Sequence, residues 1–332
     1  MRIPYDTLRD TLATLLTSLG FAPDDAIECA RVFADASRDG VASHGLDRVP
    51  RFVGMVRDGV VDPAARPVTV ATHGALERWD GRRGAGPLNA GRAMDRAIAL
   101  ARAHGIGCVA LGNTNHWMRG GTYGWQAADA GVVGLCWTNT LPNMPPWGSA
   151  VPRLGNNPLV VAVPRPDGHV VLDMAMSQFS YGALASHRRR GELLPVPGGF
   201  DEAGALTTDP AAVERSGRVL PIGYWKGSGL SLVLDLVAAL LAGGRATHEI
   251  PTDPARETGL SQLFLAIDPA LGDGPGSTIV DAVVDDLHGA TGARYPGERA
   301  LRTRETSLRD GVAVDDEVWT IVRSWAEKGS IS

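Results

Sequence analysis

Residues 106–125 read IGCVALGNTNHWMRGGTYGW, and the prediction of the fold starts from this stretch. The apolar run at 106–111 predicts a strand, and the glycine-rich segment after it leads into a predicted helix. A plain connection has no need of histidine, arginine, asparagine and tryptophan together. A ligand pocket does, because it combines apolar walls with a few placed polar groups. The stretch therefore predicts a pocket at the end of a buried strand.

Outside this stretch, helical and strand patterns follow one another in mixed order. Helical spacing of apolar residues precedes the first strand pattern, so residues 1–65 are predicted to form an N-terminal helical domain and residues 66–299 a sheet domain. The order is not a regular alternation of strand and helix, so we predict a mixed α/β fold that is not a Rossmann fold. Strands are predicted at 68–71, 76–79, 106–111, 132–137, 158–163, 170–172 and 263–267. Helices are predicted at 6–19, 24–38, 47–57, 86–104, 176–190, 227–242, 276–288 and 300–327.

The composition narrows the class of protein. The chain has 332 residues, 44% of them hydrophobic and 21% charged, which is typical of a soluble globular protein of two lobes. A net charge of −5 gives no reason to expect a nucleic-acid partner. The apolar run at 229–242 carries Asp235 and is shorter than a bilayer span, so no membrane partner is expected. Cys29, Cys108 and Cys136 form no metal-binding pair, so free thiols in a cytoplasmic protein and no metal site are expected.

The first candidate site is Ser43-His44-Gly45, with Arg48 four residues after the histidine. In a helical segment this spacing directs His44 and Arg48 the same way. An imidazole that protonates a carbonyl oxygen and a guanidinium that binds a carboxylate would suit a keto acid. The alternative is a capping serine, a histidine bonded to the backbone and a surface arginine.

Further polar residues lie where predicted strands end or helices begin. His116 is the second histidine, and its alternative is a structural ring stacked under a tryptophan. Asn139 and Asp173 each end a predicted strand, where α/β sheets often line clefts. Asp173 would orient an imidazole or hold a ribose hydroxyl, or else cap the next helix. Lys226, at the start of a buried helix, would form an anion cradle with free backbone amides, or the glycines there would only ease the turn.

Taken together, these segments resemble the type 2 malate/L-lactate dehydrogenase family, in family order and over nearly the whole chain. The resemblance implies a nicotinamide-dependent reductase of 2-keto acids. It further implies a largely antiparallel sheet flanked by helices, the N-terminal helical domain with C-terminal helices at 300–330 nearby, an inserted subdomain, and a homodimer whose partner helps to close the site. The matching segments are Ser43-His44-Gly45 with Arg48, residues 113–124, Thr138-Asn139, Gly155-Asn156-Asn157-Pro158, residues 173–177 and residues 224–230.

The resemblance also implies roles for individual residues. His44 would donate the proton to the keto oxygen with help from Ser43 and Asp173, while Arg48, His116 and Asn139 would bind the substrate. The expected cofactor is NADH. NADPH is the alternative, because Arg299 stands where an acid is expected and a basic residue suits a 2′-phosphate. The residues expected to bind the cofactor are His169, Val170, Val171, Leu172, Asp173, Met174, Ala175, Trp225, Lys226, Gly297, Glu298 and Arg299.

The leading hypothesis is the NAD(P)H-dependent reduction of a 2-keto sugar acid to the 2-hydroxy acid. Within the family, the alternatives are a dehydrogenase for malate, lactate or ureidoglycolate and a reductase of cyclic imino acids. Outside it, Ser43, His44 and Asp173 would form the nucleophile, base and acid of a hydrolase. A sugar-acid binding protein without catalytic activity is the third alternative.

Overall fold

The computed structural model describes residues 1–269 and 276–329. Its N-terminal part is helical, as predicted. Two 3₁₀ turns, Ala42–His44 and Leu46–Arg48, stand between the second and third helices, so the third helix begins two residues later than predicted. The elements here are β1 (Arg2–Ile3), α1 (Tyr5–Ser18), α2 (Pro23–Arg38) and α3 (Val49–Arg57).

The central part of the chain contributes the main sheet. Its strands have the burial expected of half-covered sheets, since alternate residues of the fifth and sixth strands are buried. The elements are β2 (Val68–His73), β3 (Leu76–Asp80), α4 (Gly86–His104), β4 (Ile106–Asn115), α5 (Gly121–Asp129), β5 (Val133–Thr138), β6 (Leu159–Val163) and β7 (Val170–Met174).

The remaining elements depart from the predictions in three places. The helix predicted from 176 begins only at Tyr181, because the Ser180 hydroxyl accepts a hydrogen bond from the Ala183 amide and caps it. The helix predicted at 300–327 is interrupted by a short strand that pairs with β1. A small hairpin and the helix after it were not predicted. The elements are α6 (Tyr181–Arg190), β8 (Gly199–Phe200), β9 (Leu206–Thr207), α7 (Pro210–Ser216), α8 (Trp225–Ala242), β10 (Thr258–Ile267), α9 (Gly276–His288), α10 (Glu298–Asp310), β11 (Val312–Ala313) and α11 (Asp316–Lys328).

The seven-stranded sheet has the order β2-β3-β4-β10-β5-β6-β7. Every neighbouring pair is antiparallel except β3 and β4. The late strand β10 lies between β4 and β5, so the centre of the sheet depends on pairing between distant parts of the chain. The expectation of a non-Rossmann, mostly antiparallel sheet flanked by helices is confirmed.

Helices cover both faces of this sheet. On β4, Val109 and Leu111 pack into the cluster that contains α4 and α5, whereas Ala110 between them packs with Ala242 of α8. This alternation follows from the two-residue period of a strand. α8 is therefore the cover of the second face.

Buried side chains form separate clusters. One contains the N-terminal helices together with Val312, Trp319 and Val322 from the C-terminal segment. A second fills the space between the sheet, α4 and α5, and a third lies among residues 144–234 around α6 and α7. These clusters support the predicted helical and sheet domains and the inserted subdomain; the boundaries at 65 and 299 stay predictions.

α8 is longer than the apolar run from which it was predicted. At 18 residues, Trp225–Ala242 is long and apolar enough to cross a membrane by length and composition alone. In the structure it lies on the sheet, where the Asp235 carboxylate accepts hydrogen bonds from Asn139 Nδ2 and the Thr247 amide. One apolar face of α8 remains exposed.

Candidate active site

The His44 and His116 rings lie against each other, with centroids 5.8 Å apart and planes inclined by 21°. His44 ends the first 3₁₀ turn, and His116 directly follows β4. The turn at His44 is fixed from behind, because the Ser37 hydroxyl donates to the Phe33 carbonyl and accepts from the Leu46 amide. A side chain at Gly45 would lie 2.2 Å from that hydroxyl, so the close approach requires glycine.

The environment of His44 keeps its imidazole neutral. Burial first, then the charges of Arg48 and Arg119, lower the pKa of His44 to about 4. Its Nδ1 lies 3.1 Å from the Ser43 hydroxyl, which fixes the orientation of the ring. The ring is still half-exposed, so a ligand in the cleft can reach it.

His116 presents a defined tautomer to the same cleft. Its Nδ1 accepts a hydrogen bond from the Met118 amide at 3.0 Å, so the neutral ring carries its proton on Nε2. Burial, Arg48 and His44 hold the pKa of His116 well below its usual range. Met118 has φ +67°, a strained conformation for this residue, and strain of this kind is concentrated at functional sites. His116 is therefore a neutral hydrogen-bond donor.

Arg48 has a buried acidic partner that the sequence did not indicate. Nη2 of Arg48 lies 3.7 Å from Oε2 of Glu257, and Oε1 of Glu257 accepts from the Leu141 amide at 3.2 Å. Burial lowers the pKa of Arg48 to about 10 and raises the pKa of Glu257, although each charge favours the other. Glu257 precedes β10, whose start was predicted five residues too late, at 263, so no signal in the sequence marked this residue.

Arg119 serves the structure around the cleft. Its Nη1 donates to Oδ2 of buried Asp39 at 2.6 Å, and Arg304 and Arg38 donate to the same carboxylate. Burial alone would raise the pKa of Asp39, but the three arginines outweigh it and lower the pKa to about 2. The Arg304 guanidinium also lies 4.6 Å from the centre of the Trp125 ring. One carboxylate thus joins α2, the segment after His116 and α10.

Asp173 is not joined to His44. Its Oδ2 accepts a hydrogen bond from the Gly121 amide at 2.7 Å, at the start of α5. Burial raises the pKa of Asp173, against the opposing effects of Arg119 and that amide. Among the described residues, no hydrogen bond links Asp173 with Ser43 or His44. Asp173 does not cap the next helix either, because Ser180 caps α6. The link between Asp173 and His44 is through the Arg119 charge, which acts on both.

Asn139 is fully engaged within the protein. Its Nδ2 donates to Asp235 and to the Arg245 carbonyl, and its Oδ1 accepts from the Ser261 amide. The side chain is also fully buried. The structure therefore places the Asn139 amide in the attachment of α8 to β5 and β10, away from any substrate.

The three segments expected to bind a cofactor all lie along β7. Residues 169–175 form and flank this strand. At its start, the Val171 amide donates to the Pro296 carbonyl, and a side chain at Gly297 would lie 3.1 Å from the Val171 nitrogen. At its other end, the Ile222 amide donates to the Met176 carbonyl, which brings the first turn of α8 with Trp225 and Lys226 alongside.

The side chains of these segments differ in availability. His169 Nε2 lies 2.9 Å from Asp129, and Glu298 pairs with His288 and Arg302. Trp225, Lys226 and Arg299 are exposed, whereas Val171 is buried and Val170, Leu172, Met174 and Ala175 are half-buried. Beside Gly297, the buried Trp125 Nε1 has no hydrogen-bond partner in the described structure. An unpartnered donor and a backbone cradle that requires glycine fit a polar cofactor better than they fit a closed core.

A non-Rossmann sheet, two neutral imidazoles and an arginine at one cleft, and a backbone cradle along β7 fit an oxidoreductase of keto acids. The chain belongs to the malate/L-lactate dehydrogenase family, whose model matches residues 3–323. Among the described residues, no group of three or more potential metal ligands occurs.

Individual relatives agree with this assignment. The chain is 45% identical to 2,3-diketo-L-gulonate reductase of Citrobacter koseri over 98% of this chain and 100% of the relative, and 44% identical to that of Salmonella typhimurium over the same shares. Among solved structures, it is similar to sulfolactate dehydrogenase of Methanocaldococcus jannaschii (TM-score 0.91, 29% identity, 99% of this chain and 97% of that one). It is also similar to delta1-piperideine-2-carboxylate reductase of Pseudomonas syringae (TM-score 0.90, 31% identity, 98% and 99%).

The Asp39 cluster gives a prediction about stability. Asp39→Asn leaves buried arginines without their anion, so we expect the free energy of unfolding at pH 7 to fall by about 3–5 kcal/mol in urea denaturation. Because the pKa of Asp39 is lowered to about 2 in the folded protein, its contribution is present above its unfolded pKa of about 4 and is lost as the pH falls towards 2. The gap between wild type and variant should close over that window. Asp10→Asn, at an exposed pair with Arg9, is the control, and equal effects of the two substitutions would contradict the assignment.

Proposed function

We propose that this protein reduces a 2-keto acid to the 2-hydroxy acid with a reduced nicotinamide cofactor, and that its substrate is 2,3-diketo-L-gulonate, reduced to 3-dehydro-L-gulonate. The observations that carry the reaction type are the cleft of His44, His116 and Arg48 and the cradle at β7, where Asp173 accepts a hydrogen bond from the Gly121 amide in the segment that follows His116. The identity of the substrate rests on the 45% identical, full-length relative named for it.

Each residue of the cleft binds a different group of the substrate. Arg48 binds the carboxylate through a charge-assisted hydrogen bond. His116, with its proton on Nε2, donates to a second oxygen of the substrate. His44 faces the keto oxygen as the proton donor, held in orientation by Ser43. Asp173 acts on this centre only indirectly, through its hydrogen bond to the Gly121 amide and the charge of Arg119.

Binding of the substrate makes proton transfer from His44 possible. The charges of Arg48 and Arg119 disfavour the imidazolium form of His44 in the free protein. A carboxylate bound at Arg48 offsets those charges and raises the pKa of His44. His44 thus becomes protonated next to the keto oxygen and gives up that proton as the carbonyl is reduced. The residues along β7 would hold a reduced nicotinamide, which would supply the hydride.

We propose NADH as that cofactor, with NADPH as the alternative. The backbone of residues 169–175, the first turn of α8 at Trp225 and Lys226, and the segment 297–299 would hold it. Arg299 is exposed beside the Gly297 cradle and is the group that would meet a 2′-phosphate. Assays with both cofactors in parallel decide between them. The three cysteines are free, which supports a cytoplasmic location.

The alternatives are separable by experiment. A hydrolase would need Asp173 bonded to His44, whereas Asp173 is bonded to Gly121, so this candidate has less support. A sulfolactate dehydrogenase, a malate dehydrogenase and a delta1-piperideine-2-carboxylate reductase share the fold. A panel of keto acids, followed by the absorbance of the reduced cofactor, separates these activities from that of a sugar-acid reductase.

We also propose a homodimer, formed through the exposed apolar face of α8. Leu232, Val233, Leu236 and Leu240 are 46–74% exposed on this helix, and Trp225 at its start is 66% exposed. A contiguous apolar surface of this kind marks an interaction site in a soluble protein. The same helix begins at the proposed cofactor cradle, so a partner that covers it would also help to close the site.

His44→Ala removes the proposed proton donor. We expect kcat for diketogulonate to fall by at least roughly 10², because general acid catalysis commonly contributes that much. Binding of NADH, measured by its fluorescence, should stay within about twofold, since His44 lies outside the β7 cradle. His73→Ala, on the exposed strand β2, is the matched control. Full turnover by the His44 variant would remove this residue from the mechanism.

The low pKa of His44 predicts the pH dependence of reduction. Reduction that starts from the free protein and free keto acid takes up one proton at His44, so kcat/KM should fall about tenfold per pH unit between pH 6 and 8, above the free-protein pKa of about 4. The fall is seen in initial rates with subsaturating keto acid and saturating NADH. A level profile over these two units would mean that the proton comes from another group.

The dimer is tested by Leu236→Lys, which places a charge in the middle of the exposed face of α8. Light scattering with size-exclusion chromatography should give a dimeric wild type and a monomeric variant. Ile27→Lys is the control, because Ile27 is equally exposed (54%) but lies on α2. A monomeric wild type, or a dimeric Leu236 variant, would contradict the assignment of this surface.

A further inference from the structure

Glu257 is placed at the cleft by the sheet register. Thr258, the first residue of β10, pairs with Asn115, the last residue of β4. Glu257 therefore stands opposite His116, and its position depends on backbone pairing rather than on a mobile loop. The residue is buried, with only 4% of its surface exposed.

The two carboxylate oxygens of Glu257 have different surroundings. Oε1 accepts a hydrogen bond from the Leu141 amide at 3.2 Å. Oε2 accepts no hydrogen bond from the described residues, and the Arg48 guanidinium, 3.7 Å away, lies beyond hydrogen-bonding distance. A carboxylate oxygen that has no donor in the described part of the chain, on a residue that is 4% exposed, suits a ligand that brings a hydroxyl group.

The charges around the cleft match a substrate with one negative charge. Arg48 and Arg51 both act on His116 and on Glu257, whereas Arg119 is already paired with Asp39. The two imidazoles are neutral. The Arg48 charge already acts on Glu257, so a second substrate carboxylate placed beside Glu257 would meet a like charge.

We propose that Glu257 determines substrate specificity: its charge disfavours keto acids with a second carboxylate, and its Oε2 accepts a hydrogen bond from a hydroxyl on the tail of a monocarboxylate. This inference rests on the proposed keto acid reduction. It adds a requirement for the tail of the substrate, the part of the chain beyond the keto acid group: this part should be neutral and hydroxylated. A sugar acid has such a tail, whereas malate and oxaloacetate lack it.

Glu257→Gln separates this role from a structural one. The glutamine keeps an oxygen for the Leu141 amide, removes the charge, and replaces the acceptor Oε2 with an NH2 group that donates. The matched substrates are oxaloacetate and 4-hydroxy-2-oxobutanoate, which have four carbons each and differ at the tail. At pH 8 with saturating NADH, we expect the ratio of kcat/KM for the hydroxy acid to that for the dicarboxylate to fall at least about tenfold in the variant, since one unit charge at close range is worth that much or more.

Two further variants complete the experiment. Glu257→Asp keeps the charge and should keep most of the discrimination, and its thermal unfolding shows whether position 257 tolerates change. Glu249→Gln is the control. The Glu249 carboxylate also accepts a hydrogen bond from a backbone amide, but at a distant exposed site, so loss of its charge should leave the ratio unchanged. A purely structural Glu257 would lower both kcat/KM values together without changing their ratio.

The outcomes distinguish this inference from the proposed function. A wild type that reduces 4-hydroxy-2-oxobutanoate more efficiently than oxaloacetate, and loses that preference in Glu257→Gln, supports the specificity role. A wild type that reduces keto acids while the variant keeps the same ratio overturns it and leaves the proposed function intact. A wild type that reduces no keto acid with either cofactor overturns the proposed function itself.

Discussion

The carboxylate of Asp39 is the interaction on which the geometry of this protein depends. It is almost fully buried and bound by Arg38, Arg119 and Arg304, which lie far apart in the sequence. A buried anion of this kind is tolerable only with its cations in place. It fixes the end of α2, from which the chain turns to His44, and the segment that carries His116. It also fixes α10, which follows the Gly297 cradle. The same carboxylate therefore holds the residues on both sides of the cleft in place.

The charges near Asp39 also affect the protonation of the two histidines in the cleft. Burial and the charges of Arg48 and Arg119 lower the pKa of His44, and burial and Arg48 lower the pKa of His116. Two imidazolium ions beside these arginines would be strongly unfavourable in the free protein. In the proposed reaction, the anionic substrate therefore completes the charge balance that protonation of His44 requires.

Local patterns in the sequence were enough for much of the fold and for one side of the cleft. The helix at 86–104 and most strands follow from apolar spacing, and the four-residue spacing of His44 and Arg48 placed both groups at one turn. Asp39 and Glu257 could not be predicted in this way, because their partners are 80 and 265 residues away for Asp39 and on another element for Glu257. The alignment of residues 297–299 with β7 came only from the family resemblance, since spacing does not reveal which loop meets which strand.

The single chain leaves its site open on one side, and this has a chemical consequence. The protein around Asp173 raises the pKa of its carboxyl group. Part of this residue still faces solvent, as does Trp225 at the start of α8. Oxidoreductases exclude water from the reacting carbonyl, since a dry cleft strengthens the interactions of its arginines and imidazoles. Within the described residues no segment covers this side. The apolar face of α8 begins there, so the second copy of the chain proposed above would both exclude water from the cleft and bury the exposed face of α8.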